Sequence, residues 1–287
     1  MQSSQRGQSE YIFSWLESYG IKDGTCFEAG AGSPDWISNS KVFIENGWKA
    51  YLVERDQLSC EKWKSLALDN VSIFNTSIPY RQDGLITIFK ENKIPQDIDV
   101  LFLDIDGGEY QLLEGFISGG YRPKVICVEY AYAFPISIDY IPTSICYQKQ
   151  ASSIAFFRML SSAGYVYLKT FFQDHIFVDR DFAAKINAIL PPPEYFYVEA
   201  AANIAQFDRV LLCQYSGDQG VKFYESSLRI LMSQRHACTA SFYSYIVGGI
   251  NCCLGVLNQL EDANPDYYKE FKRAGIKFMK DYSHLLM

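Results

Sequence analysis

The chain has 287 residues, is 48% hydrophobic and 16% aromatic, and carries a formal net charge of −7. That apolar content is enough for a sizeable core, so a disordered chain is excluded. The acidic balance disfavours a general nucleic-acid binder, which is usually basic. The length fits one large domain, or a domain with an elaborated tail.

The eight cysteines form no CxxC pair, and with only three histidines no zinc-ligand spacing can be assembled. Most are expected to be reduced thiols acting as small core residues, and the vicinal Cys252 and Cys253 to pack in a helix. The polar start, MQSSQRGQSE, lacks the apolar stretch of a signal peptide. No run approaches the ~18 apolar residues of a membrane span. A cytoplasmic protein without a membrane partner is expected.

In chain order, residues 8–19 carry Ile12, Trp15, Leu16 and Tyr19 at helical spacing, with Gly20 at the stop. TCFEAGAG is a short buried-strand pattern ending in glycines. A helix is expected over 38–47, a second strand over WKAYLVERD and a helix over 57–69. VSIFNTSI reads as a third strand, while LITIFKEN, residues 85–92, is ambiguous. DVLFLDIDGG is a strand running into acids and glycines, followed by a helix over 109–118, the strand KVICVEY and a helix over 150–163. YVYLKTF and HIFVDRD are separated by so short a link that they must pair antiparallel. Alternating strands and helices give an open, mostly parallel sheet covered on both faces. The expected fold is therefore α/β and Rossmann-like, closed by an antiparallel terminal hairpin. RVLLC is one more possible strand. Residues 216–287 read as a helical C-terminal extension that packs on the 1–215 domain or forms a homodimer contact. All four tryptophans lie in the first 63 residues and are expected in the core.

In such sheets ligands bind beyond the carboxyl ends of the strands. The first strand ends Glu28-Ala29-Gly30-Ala31-Gly32-Ser33, where glycines let the backbone turn sharply against a ligand. Glu54 ends the second strand, 22 residues after Gly32, where an acid can accept both hydroxyls of an adenosine ribose. A dinucleotide and S-adenosylmethionine both fit this pattern. Asp35 stands where dinucleotide sites place a third glycine, and it would repel a pyrophosphate. Acids such as Glu28 and Asp35 suit the ammonium group of an amino-acid tail, so S-adenosylmethionine is preferred.

Six segments in register carry a resemblance: Ser4-Gln5-Arg6-Gly7-Gln8; FEAGAG; Ser38-Asn39-Ser40; the strand from Gly47 to Asp56; Asp104-Ile105-Asp106-Gly107-Gly108-Glu109-Tyr110; and Arg122-Pro123-Lys124 running to Glu129-Tyr130. Together they resemble the FkbM-like class I methyltransferases. The resemblance implies a seven-stranded Rossmann-like fold and S-adenosylmethionine-dependent methyl transfer, commonly to oxygen on sugars or other natural products. The sequence departs from the pattern at Gly108, where Asn or His is usual, and at Ala131, where Asn is usual.

A hydroxyl acceptor must lose its proton or be polarised by a base or a metal. Asp104 and Asp106 end the fourth strand on one side of it, and Glu129 ends the next. Such a cluster can hold a proton poised for transfer, or suit Mg²⁺ or Ca²⁺. His175, at the expected hairpin turn with Asp174, is a further candidate base at the mouth of the site. Arg55, Thr76 and Ser77 are expected to flank the nucleoside, and Gln5, Ser38 and Asn39 to bond the methionine carboxylate. The aromatic stretch from Tyr130 to Tyr147 is expected to fold over a small-molecule acceptor. The expected activity is O-methylation. A nicotinamide-dependent oxidoreductase of the same fold and a non-catalytic scaffold are the alternatives.

Overall fold

In the computed structural model, residues 7–36, 38–131, 139–142, 145, 150–196 and 199–200 are described. The elements in chain order are α1 (Gln8–Ser18), β1 (Thr25–Ala29), α2 (Lys41–Glu45), β2 (Lys49–Glu54), α3 (Gln57–Ser65), β3 (Val71–Asn75), α4 (Gly84–Glu91), β4 (Val100–Leu103), α5 (Glu109–Ser118), β5 (Val125–Glu129), α6 (Ser153–Ser162), β6 (Tyr165–Phe171), β7 (Asp174–Asp179) and α7 (Arg180–Lys185).

The seven strands form one sheet in the order β3-β2-β1-β4-β5-β7-β6. Strands β1 to β5 pair in parallel, whereas β7 is antiparallel to both β5 and β6. This is a Rossmann-like seven-stranded sheet with an antiparallel hairpin at one end. The central strands VLFL and VICVE are buried at every position, as both faces of a parallel sheet require. Only Phe172 and Gln173 separate β6 from β7, and Phe172 turns the chain with φ +52°.

The ambiguous segment 85–92 is helical, because Leu85, Ile88 and Phe89 bury together at i, i+3 and i+4. The helix expected over 38–47 is shorter, running only from Lys41 to Glu45. One side of the sheet is filled by Ile12, Leu16, Phe43, Trp48, Trp63 and Phe102. On the other, Phe27 packs on Phe89, which meets Phe116, itself stacked on Tyr121 at 4.3 Å. These layers hold the carboxyl ends of β1 to β5, and the start of β7, along one edge.

Among the described residues, 131, 139–142, 152–155, 194–196 and 199–200 group as a second unit. Within it Ala131 bridges Ser152, and the Tyr140 N–H donates to Ser152 Oγ at 2.9 Å. Gln5, most of the aromatic stretch 132–149, the RVLLC strand and the helical extension 216–287 with its dimer contact lie outside the described residues. Among the described residues no helix is long and apolar enough to cross a membrane.

Candidate active site

A cavity of about 360 Å³ lies at the carboxyl edge of the parallel strands. It gathers eight of the residues marked in the sequence: Gly30, Gly32, Glu54, Arg55, Thr76, Ser77, Asp104 and Asp106. The volume falls in the usual range for small-molecule sites, ~300–1,000 Å³.

The glycine turn has a specific steric cause. Gly30 adopts φ +81°, and a Cβ there would lie 1.9 Å from the Asp104 carbonyl oxygen. Any side chain would push β1 and β4 apart, so the close approach requires glycine. The turn is then tied to β2. The Gly32 N–H donates to Glu54 Oε2 at 2.8 Å, and the Asp56 N–H donates to Glu54 Oε1 at 2.7 Å. Each carboxylate oxygen keeps a free lone pair to offer a ribose hydroxyl. Asn75 Nδ2 donates to the carbonyls of Glu54 and Arg55, so the end of β3 braces the same corner.

Glu28 has a different role from the one expected. It is buried, and its carboxylate accepts the Asn39 and Ser40 N–H groups and the Ser38 hydroxyl, at 2.6, 2.9 and 2.9 Å. It organises the entry to α2 rather than facing an ammonium group. Ser38 and Asn39 are buried with it, and the Ser38 hydroxyl and the Asn39 N–H, expected to bond a cofactor carboxylate, bond Glu28 instead. Burial pushes Glu28 up to about 7, with the amide and hydroxyl donors opposing the shift.

The second half of the edge is crowded with acids. Asp104, Asp106 and Glu129 each offer an oxygen, all within 4.8 Å of one another. Burial, opposed by the Glu129 hydrogen bond and reinforced by Asp106, brings Asp104 to about 6. Glu129 is pushed well up by burial and then by the charges of Asp104, Glu109 and Asp174. The bond between the two lowers Asp104 and raises Glu129, so their shared proton resides on Glu129. Its carboxyl also accepts the side-chain amides of Gln150 and Gln173, and Gln173 lines the cavity.

Glu109 was not marked as a site residue. It is fully buried, and its Oε1 accepts the Gly107 N–H at 2.6 Å and the Ile105 N–H at 3.3 Å. It braces a loop in which Asp106, Gly107 and Gly108 all have positive φ, +60°, +132° and +85°. Burial lifts Glu109 to about 8 despite those donors. Its signal was the DIDGGE order itself: an acid at the first turn of α5, facing back onto the turn before it.

His175 is not at the hairpin turn. It is the second residue of β7 and is fully buried. Its ring stacks on Tyr130 with centroids 3.8 Å apart, and its Nδ1 lies 2.8 Å from Thr170 Oγ1. Burial lowers it to about 3, so it stays neutral, and the role of a solvent-facing base is withdrawn. Asp174 is buried too and accepts Gln8 Nε2 at 3.1 Å. The turn residue that reaches the cavity is Gln173, which cross-strand alternation alone could not distinguish from its neighbours. The tryptophans are corrected as well: Trp48 and Trp63 are buried, but Trp36 is 74% exposed and lines the cavity.

No protein-family model matches the chain, and neither does any curated protein. Solved structures similar to it include a candidate methylase from Haemophilus influenzae, at 19% identity, TM-score 0.39, covering 60% of this chain and 88% of that one. A TehB-like SAM-dependent methyltransferase from Corynebacterium glutamicum matches at 10% identity and TM-score 0.34, covering 61% and 89%. A SAM-dependent methyltransferase from Aquifex aeolicus matches at 16% identity and TM-score 0.34, covering 59% and 86%. With these TM-scores below 0.5, the fold reading stands on strand order and register.

Proposed function

We propose that the chain is an S-adenosylmethionine-dependent methyltransferase acting on a hydroxyl oxygen of a small molecule, such as a sugar, a nucleotide-sugar or another natural product. The observation that carries this reading is the convergence, in one cavity, of the glycine turn of β1, the Glu54 carboxylate of β2 and the acids that follow β4. Gly30 lets the turn close against the end of β4, and Glu54 keeps acceptor capacity for a ribose.

When bound, the cofactor would supply an electrophilic methyl on a good leaving group. The protein then has to orient the acceptor and receive its proton. Asp104 suits the second task. It lines the cavity, and at about 6 it is largely ionised at neutral pH yet basic enough to take a proton. Asp106, held at positive φ by the Glu109 brace, points the loop toward the same space and can accept a hydrogen bond from the acceptor. Glu129 and its two glutamine partners fix the position of the shared proton.

Asp104, Asp106 and Glu129 are also the donors a Mg²⁺ or Ca²⁺ would use, and hard oxygen ligands suit those ions. The proton and the two amides on Glu129 leave Asp104 and Asp106 as its first ligands. An increase in melting temperature with Mg²⁺ that is lost in Asp106→Asn supports the metal. No shift removes it.

The function is tested by calorimetry and thermal shift with S-adenosylhomocysteine and, separately, NAD. A ligand at 100 times its Kd adds ~2.7 kcal/mol of stability. Stabilisation by the homocysteine product alone supports the reading. Stabilisation by NAD alone replaces it with the oxidoreductase.

A further inference from the structure

We propose that Trp36 is the stacking face for the adenine of the cofactor, a ligand contact additional to the ribose carboxylate. This rests on the methyl-donor reading above. Three observations lead to it. The first is exposure: Trp36 is 74% exposed, whereas Trp48 and Trp63 are 0% and 3% exposed and Trp15 is half-buried. A side chain this large and flat is the most costly to leave in water, and burying it is the most favourable. Among the described residues its ring has no aromatic or cationic neighbour, and its indole N–H has no acceptor.

The second is rigidity. The Trp36 N–H closes a turn on the Ser33 carbonyl at 3.0 Å. Lys62 pairs with Asp35 at 3.2 Å and donates to Ser33 Oγ at 3.4 Å, while Trp63 Nε1 donates to the Gly32 carbonyl at 3.1 Å. The loop backbone is thus tied to α3 just before and within the turn that presents the exposed indole.

The third is location. Trp36 lines the same cavity as Glu54 and follows, by four residues, the Gly32 whose N–H bonds that carboxylate. The chemistry selects which part of the ligand it meets. The base is flat and has a π-face, which an indole stacks on, whereas the charged amino-acid tail offers no such face. Stacking of a base on an aromatic side chain is worth about 1–3 kcal/mol by alanine substitution.

Tryptophan emission and calorimetry on the wild type, Trp36→Phe, Trp36→Ala and Glu54→Ala provide the test. S-adenosylhomocysteine and adenosine should both quench the wild type, and methionine should not. Trp36→Ala should lose the quench and bind S-adenosylhomocysteine roughly tenfold more weakly. Trp36→Phe, which keeps a ring, should fall between. Because the side chain is exposed, all Trp36 variants should melt with the wild type. Unchanged affinity in Trp36→Ala alongside a loss in Glu54→Ala overturns the stacking and leaves the methyl-donor reading intact. So does a quench by methionine without one by adenosine. No binding of S-adenosylhomocysteine to the wild type overturns both.

Discussion

Glu54 and Glu129 each end a parallel strand at the same edge of the sheet, yet their surroundings are opposite. Glu54 is met by two backbone N–H groups, from Gly32 and Asp56. Glu129 stands among Asp104, Glu109 and Asp174, and burial together with those charges raises it well above the usual carboxylate range. The β1–β3 half of the edge therefore offers acceptors fixed by backbone donors and suited to neutral hydroxyls. The β4–β5–β7 half offers a store of protons whose occupancy depends on what binds. A site that holds a nucleoside on one side and moves a proton on the other needs that asymmetry.

The largest expected effect breaks the crowded half. Glu109→Ala leaves the Gly107 and Ile105 N–H groups without their buried acceptor and opens a cavity. It should cost about 3 kcal/mol in chemical denaturation. Glu109→Gln keeps the acceptor and removes only the titrating oxygen, so it should lie within about 0.5 kcal/mol of wild type at pH 7. If both variants are equally unstable, Glu109 is held by something other than its Oε1 bonds. In the quiet half, Glu54→Ala removes two charge-assisted acceptors from a ribose and should weaken S-adenosylhomocysteine roughly 100-fold by calorimetry. Equal affinity would end the contrast, because Glu54 would then be only a brace for Gly32.

Those two carboxylates also show how much could be read beforehand. Glu54, Gly30 and Gly32 were legible because their roles follow from chain order: a strand end, a turn and a fixed spacing. The seven strands were legible for the same reason, since each is a short apolar run bounded by turn residues. Glu109 and Gln173 were not marked, because their roles depend on which way a side chain points, at the first residue of α5 and in the two-residue link between β6 and β7. His175 was misread because a shift of one position moves a hairpin residue from the turn to a buried face. Trp36 was misread because tryptophan is a poor indicator of burial when the chain keeps it for a ligand. Glu28 sits at a strand end like the others, but only the fold shows that α2 starts against it.

The pH response of stability sharpens the contrast. Glu28 at about 7 and Glu109 at about 8 are raised above their unfolded values near 4.5, so the folded state holds more protons than the unfolded chain. Their stabilising contribution is complete below about pH 4.5 and is lost as pH rises through 7 and 8. His175 acts with the opposite sign: lowered to about 3, it costs stability as pH falls below its unfolded 6.5. Above 6.5 only the acids count. Melts in guanidinium should therefore show stability falling between pH 6.5 and pH 8, by roughly 2 kcal/mol. A flat profile there would mean the acids are already neutralised by something bound.

Asp104→Asn gives the smallest effect and the most selective one. Burial raises Glu109, Glu129 and Asp174 and the Asp104 charge adds to it, so removing that charge lowers all three in part. At pH 5 the folded wild-type Asp104, at about 6, is mostly protonated while the unfolded residue, at 3.8, is ionised, so the variant's advantage should be present but smaller than at pH 8. At pH 8 the charge is present in the wild type only, and the variant should be about 0.5 kcal/mol more stable, with a shallower slope in between. Stability gained at the cost of a group that the chemistry uses is a common trade in active sites. A variant less stable at pH 8 than at pH 5, relative to wild type, would mean that ionised Asp104 is held by an attraction, and the divalent cation would be the first group to look for.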